Sequence, residues 1–172
     1  PNLKLAWGIR ASNVDLSRYD YSRQLVFQFT IVLSHFANLI IANSKAGSKY
    51  VHSKGYPSKK LVVVANGIDT DRFRIDRVSA RVIRQELAIQ DDELLIGIAA
   101  RLDPMKDHAT FLKAARYFLD SGGKAKFICA GDGPERESLI SLAHEMGISQ
   151  SVRWLGTRSD MPAIYNAMDI NT

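Results

Sequence analysis

The chain is predicted to be an α/β protein with parallel sheets, because apolar strands alternate with amphipathic helices along most of its length. The segments Leu61–Ala65 and Leu94–Ala100 are continuous apolar runs, as in strands that are buried on both faces, and Ala125–Ala130 is apolar except for Lys126. The helical segments between such runs place apolar residues at helical spacing and end at glycine. Alternation of this kind is typical of βαβ units.

In the first part of the chain, residues 3–9, 39–42 and 61–65 are predicted strands. A helix is predicted over about residues 17–37, followed by a second helix that Ser44 caps and Gly55 ends. One set of residues falls on a single face of the first helix, which we interpret as a core-facing stripe. This stripe consists of Tyr21, Leu25, Phe29, Val32, Leu33 and Phe36.

A domain boundary is predicted at residues 66 and 67, where Asn66-Gly67 forms a turn signal and residues 70–81 become rich in Asp and Arg. Beyond it we expect a short helix at 79–88 and strands at 94–100, 125–130 and 152–155. The helices that follow these strands are predicted to begin near Asp107, at Pro134 and at Ser159 or Asp160. Residues 169–172 are typical of a fourth strand just beginning.

Composition narrows the functional classes. The formal net charge of +5 suits acidic ligands, but no basic run occurs, so nucleic-acid binding is not expected. Cys129, the only cysteine, lies in an apolar strand, which favours a buried thiol and a reducing, cytoplasmic location. The four histidines lack metal-ligand spacing, and we expect them to be surface or hydrogen-bonded core residues.

The loop after the strand at 94–100 carries two cations, Arg101 and Lys106, around a turn that Pro104 stiffens. Ligands of a parallel sheet bind beyond the carboxyl ends of its strands, and a helix N-terminus follows here. A planar guanidinium and a mobile ammonium at such a place suit a diphosphate. The alternative is two solvated surface cations.

Several motifs in order resemble the retaining glycosyltransferases of family 4. The loop from Ala100 to Asp107 is similar to the family's Gly-Arg-Leu-x-x-x-Lys-Gly, with Ala100 and Asp107 in place of the glycines. Residues 41–44 resemble its Val-x-x-x-Ser step but are one residue shorter. Residues 66–69 resemble its Asn-Gly-Val-Asp hinge, and residues 131–134 its Gly-x-Gly-Pro turn. Asp107 is also a good helix cap, which is the role we prefer for it.

The resemblance implies a GT-B fold of two Rossmann-like domains. Residues 1–66 would end the acceptor-side domain, and residues 67–172 would form the first half of the donor domain, cut short after about three βα units. A nucleotide-diphosphate sugar, commonly of UDP, GDP or ADP, would be the donor, with no metal or other cofactor. Arg101 and Lys106 would neutralise the leaving diphosphate, and Thr157 and Arg158 would lie at the nucleobase, unless Arg158 is an ordinary surface cation.

The resemblance further implies transfer with retention to a sugar or lipid-linked sugar, in polysaccharide or glycolipid synthesis, with peripheral contact at the inner membrane face. The family's two glutamates, with seven residues between them, are expected beyond Thr172. We interpret Glu137 and Glu145, which have that spacing, as solvated helix residues instead. An epimerase or hydrolase of the same fold, and a nucleotide-binding chain without catalysis, remain alternatives. An open edge on the strand at 94–100 would favour self-association, and we expect weak or absent turnover from these 172 residues alone.

Overall fold

The computed structural model describes residues 3–10 and 20–172. Two compact units share the chain, one ending at Ile68 and the other running from Asp69 to Thr172. Each unit is built on its own parallel sheet. The alternation of strands and helices that the sequence predicted is therefore confirmed.

The first unit has a three-stranded sheet with strand order β1-β2-β3. Its strands are β1 (Ala6–Ile9), β2 (Leu39–Ala42) and β3 (Leu61–Val63). Its helices are α1 (Tyr21–Ser34) and α2 (Lys45–Ser53). The predicted cap of α2 is confirmed, since the Ser44 hydroxyl accepts a hydrogen bond from the Gly47 N–H at 3.0 Å.

The apolar stripe of α1 does not lie in the core of the described structure, so that prediction was wrong. Tyr21 is 76% exposed, Phe29 64% and Phe36 75%. The buried cluster of this unit is small, and α1 reaches it through Ile31, on another side of the helix; its members are Ala37, Ile40, Val51 and Tyr56. Helix α1 begins after Asp20, and the predicted residues 17–19 lie outside the described residues. Helical spacing identifies an apolar face but does not supply a partner for it.

The second unit has a four-stranded parallel sheet with strand order β6-β5-β4-β7. The strands are β4 (Leu94–Ala99), β5 (Ala125–Ala130), β6 (Val152–Gly156) and β7 (Ile170–Asn171). The fourth strand is confirmed, and it pairs with Ile96 and Gly97 of β4. The β4 edge is therefore covered at those two residues, where the sequence led us to expect an open edge.

Helices cover both faces of this sheet. They are α3 (Arg77–Glu86), α4 (His108–Asp120), α5 (Arg136–Glu145) and α6 (Met161–Ala167). Alternate residues of β5 separate the two cores: Phe127 packs with α4 and α5, and Ile128 with α3 and α6. Cys129 is fully buried, as predicted, and burial raises the pKa of its thiol to about 12.

Two helix starts in the second unit differ from the prediction. Helix α5 begins at Arg136, and Pro134 lies in the preceding turn, because the Arg136 N–H bonds to the Gly133 carbonyl before the helix starts. Helix α3 begins two residues early because the Asp76 carboxylate accepts from two of its N–H groups. Glu137 and Glu145 are exposed on α5, as expected. No helix in the described ranges is long and apolar enough to cross a bilayer.

Candidate functional site

The connection from β4 to α4 is short and internally held. Arg101 follows β4 almost directly, and Lys106 ends a single 3₁₀ turn, Pro104–Lys106. The Asp103 carboxylate fixes this turn by accepting from the Met105 N–H at 3.0 Å. Both predicted diphosphate contacts therefore lie on one hydrogen-bonded loop that leads into the N-terminus of α4, whose free N–H groups favour anions.

Asp107 explains one departure from the family pattern. Its backbone has φ +50° and ψ +46°, a left-handed conformation in which glycine is favoured and Asp is among the few tolerated alternatives. Its carboxylate accepts from the Thr110 N–H at 3.3 Å and caps α4. The predicted capping role is confirmed, and the acid does not need to touch a ligand.

Arg101 and Lys106 are both exposed. Neither side chain makes a hydrogen bond or ion pair with another residue in the part of the chain that the structure describes. Lys106 and Thr110 line an open cavity of about 380 Å³ beside β4, while Arg101 lies outside that lining. Both cations are thus available to an external anion.

Backbone hydrogen bonds connect the three loops that follow β4, β5 and β6 at this end of the sheet. Two hydrogen bonds join the loop after β5 to the Arg101 loop. The Leu102 N–H donates to the Asp132 carbonyl at 3.1 Å, and the Glu135 N–H donates to the Leu102 carbonyl at 3.2 Å. On the other side of the loop after β5, the Gly131 N–H donates to the Gly156 carbonyl at 2.8 Å. The middle loop therefore sets the positions of both neighbours.

Two glycines allow these loops to approach one another closely enough for the hydrogen bonds. A Cβ atom on Gly131 would lie 2.1 Å from the Ala100 carbonyl oxygen, and one on Gly133 would lie 2.2 Å from the Leu102 oxygen. Any other residue at either place would force the neighbouring backbone to shift. These glycines therefore support the Arg101 loop directly.

Arg158 has partners that the sequence did not predict. Its Nε and Nη2 donate to Asp160 at 2.8 and 2.7 Å, and its Nη1 and Nη2 donate to Glu86 at 2.7 and 3.2 Å. The hydrogen bonds to Asp160, and to a lesser extent those to Glu86, raise the pKa of the guanidinium. Arg158 in turn lowers the pKa of each carboxyl. Thr157, the other predicted contact in this loop, is exposed.

The Asp160 contact could have been suspected from its two-residue spacing. Glu86 lies 72 residues away on α3, and no local pattern indicates that contact. Because its carboxylate is engaged, Asp160 stands at the N-cap position of α6 without capping it through its side chain.

His108, the first residue of α4, is fully buried, and neither ring nitrogen has a hydrogen-bond partner among the residues described. Burial lowers its pKa, against the opposing influence of Glu135 and Asp107. The prediction of a surface or hydrogen-bonded histidine was wrong here, because the helix start faces inward. Across residues 3–10 and 20–172, no group of three or more His, Cys, Asp or Glu side chains is placed to hold a metal.

Residues 79–171, more than half of the chain, match the family model described as glycosyl transferases group 1. The chain belongs to this family. The match spans β4 to β7 and includes Arg101, Lys106, Thr157 and Arg158.

Among curated relatives, the D-inositol 3-phosphate glycosyltransferase of Corynebacterium jeikeium is 38% identical over 119 residues, covering 63% of this chain and 28% of that protein. The EpsF protein of Bacillus subtilis is 26% identical over 151 residues, covering 88% of this chain and 39% of EpsF. The chain thus spans less than half the length of these relatives.

Solved structures show the same fold. Anabaena HepE, crystallised with UDP-glucose, aligns with a TM-score of 0.83 at 22% identity over 98% of this chain and 46% of HepE. WaaG, a glycosyltransferase involved in lipopolysaccharide biosynthesis, aligns with a TM-score of 0.68 at 15% identity over 95% of this chain and 49% of WaaG. The predicted GT-B type of α/β fold, with parallel sheets flanked by helices, is confirmed.

Proposed function

We propose that this chain acts in a glycosyltransferase that moves a sugar from a nucleotide-diphosphate sugar to an acceptor, with retention at the anomeric carbon. One observation carries the proposal. The side chains of Arg101 and Lys106 are exposed and have no hydrogen-bond or ion-pair partner among the described residues, and both lie on one hydrogen-bonded loop before the N-terminus of α4. Such a loop in this family suits the diphosphate of the donor.

The chemistry assigned to the two cations is electrostatic. As the bond between the anomeric carbon and the diphosphate oxygen breaks, its electron pair goes to the diphosphate, and negative charge grows there. Arg101 and Lys106 stabilise that charge in the transition state, and the loss of one such group costs ~3–4 kcal/mol in comparable sites. The proposal gives this role to side chains and not to a metal ion or other cofactor.

The remaining donor and acceptor assignments rest on related proteins. HepE binds UDP-glucose, which supports a nucleotide sugar as the donor, with the base near Thr157. An Escherichia coli relative, 25% identical, is named for transfer of galactose from UDP-Gal to a diphosphoundecaprenol-linked sugar. This supports a sugar or lipid-linked sugar as the acceptor and a cytoplasmic place at the inner membrane face. Residues 67–172 would bind the donor and residues 1–66 would belong to the acceptor side.

Calorimetric titration with UDP, GDP and ADP tests the proposal on this chain. We expect one nucleotide to bind and its affinity to fall sharply in Arg101→Ala, but not in Arg81→Ala, which removes an exposed arginine from α3. Failure of all three nucleotides to bind would contradict the proposal. If a nucleotide binds, product analysis with the corresponding nucleotide-diphosphate sugar separates the alternatives. Free sugar without acceptor would indicate a hydrolase, a new sugar nucleotide an epimerase, and no product a nucleotide-binding chain without catalysis.

Self-association through the sheet edge also remains a prediction. Strand β7 is the edge strand of the sheet that the structure describes, and its outer side pairs with no other described strand. Size-exclusion chromatography at rising protein concentration measures this directly, and a monomer at every concentration would contradict it.

A further inference from the structure

We propose that Arg158 is a positioning residue of the base-binding loop, held by Glu86 of α3, and that it does not contact the donor itself. This inference rests on the proposed function, because it concerns how the same site recognises the nucleotide. It replaces the direct base contact that the sequence suggested for Arg158.

The guanidinium has little left to offer a ligand. Of its five N–H groups, four are used in hydrogen bonds of 2.7–3.2 Å to Asp160 and Glu86. Its side chain is only 24% exposed. Two carboxylates surround one cation, so the cluster carries a net negative charge and would repel a diphosphate.

The contacts of the loop show what Arg158 fixes. On one side of Thr157, the Gly156 carbonyl is bound by the Gly131 N–H at 2.8 Å. On the other side, the Ser159 carbonyl accepts from Arg72 Nη2 at 3.2 Å. Between these backbone contacts, Arg158 ties the loop to the last residue of α3.

A loop held in this way presents its backbone at Thr157 in one conformation. Donor binding then loses less conformational entropy than it would with a loop that becomes ordered only when the nucleotide arrives. The ion pairs of Arg158 with Glu86 and Asp160, here called the Arg158 clamp, therefore contribute to base recognition. The diphosphate is held separately by Arg101 and Lys106. This division makes the proposal testable with two probes.

Glu86→Gln distinguishes an indirect role from a direct one. Glutamine keeps the size of the side chain but removes the charge and one acceptor for Arg158. If Arg158 held the base directly, this change would free it, and nucleotide affinity would stay the same or rise. If Arg158 acts through the loop, nucleotide affinity falls.

The experiment titrates the chain with its best nucleotide among UDP, GDP and ADP, and separately with inorganic pyrophosphate. We expect Glu86→Gln to weaken the nucleotide about fivefold, the scale of an ion pair in a small network, with pyrophosphate binding unchanged. Arg158→Lys, which keeps the charge but loses the bidentate fork, should follow the same pattern. Glu137→Gln, an equal charge change at an exposed site on α5, should alter neither titration.

Arg101→Ala separates the two proposals, since it should weaken both probes. If Arg101→Ala lowers nucleotide binding and Glu86→Gln does not, the positioning role is overturned and the proposed function stands. If Glu86→Gln lowers the affinities for pyrophosphate and nucleotide equally, the Arg158 clamp has no specific effect on recognition of the base, which also overturns the inference. If no nucleotide binds the unaltered chain, both proposals fall.

Discussion

Two arginines at the same end of one sheet have opposite surroundings. Arg101, after β4, is exposed and has no hydrogen-bond or ion-pair partner within the described ranges, whereas Arg158, after β6, is held by Glu86 and Asp160. Both occupy the loop position at which parallel sheets bind ligands. The difference shows that loop position alone does not make a cation available to a ligand. Its availability depends on which carboxylates the fold brings beside it.

The comparison predicts its largest effect at Arg101. A charged hydrogen bond to phosphate is worth ~1.5–3 kcal/mol, so Arg101→Ala should lower nucleotide affinity about ten- to a hundredfold. Calorimetric titration measures the change, with Arg81→Ala as the control. An affinity within twofold of the unaltered chain would remove the distinction between Arg101 and Arg158.

The hydrogen bonds between the loops after β4 and β5 lead to a second prediction, which concerns the free energy of unfolding. Gly133→Ala would place a Cβ against the Leu102 carbonyl, and we expect the free energy of unfolding to fall by ~1–3 kcal/mol. Urea unfolding measures this. Gly67→Ala is the matched control, because a Cβ there meets nothing within 4 Å and its φ is not positive. Equal stability of the two variants would show that the loops do not need this close approach.

Lys106 should show a smaller effect than Arg101. Lysine contributes one point charge instead of a fork, so Lys106→Ala should weaken pyrophosphate and nucleotide by about tenfold each. Lys113→Ala, which removes an exposed lysine further along α4, should leave both unchanged. If Lys106→Ala weakened nucleotide binding but not pyrophosphate binding, Lys106 would contact a part of the donor other than the diphosphate.

His108 gives the smallest predicted effect, in the pH dependence of stability. Its pKa is lowered from 6.5 in the folded chain, so the unfolded chain binds a proton first as the pH falls below 6.5. Stability is therefore retained above that pH and lost as the pH falls toward the lowered value. In His108→Leu this loss should be smaller, and stability at neutral pH should rise by ~1 kcal/mol, since no polar atom is left unpaired. Urea unfolding at about pH 7.5 and about pH 5 checks both points. An unchanged pH dependence would show that His108 does not titrate in this window.

The sequence predicted those features that local patterns encode. The four strands of the second unit and the cap at Asp107 are confirmed. These follow from apolar periodicity and from short-range hydrogen bonds, which need only neighbouring residues.

Features that depend on distant residues could not be predicted. The contact between Glu86 and Arg158 joins residues 72 positions apart, and the exposed face of α1 depends on what the rest of the fold provides. The close approach of Gly133 to Leu102 likewise has no local pattern, because glycine also serves ordinary turns. The candidate cations were identifiable from sequence, but the carboxylates that neutralise one of them were not.

A crystal structure of the chain with its best-binding nucleoside diphosphate tests the central claim most directly. The account predicts that phosphate oxygens lie within ~3 Å of both the Arg101 guanidinium and Lys106 Nζ, while Arg158 stays on Glu86 and Asp160. A diphosphate bound away from the β4–α4 loop, or one that drew Arg158 off its carboxylates, would contradict it.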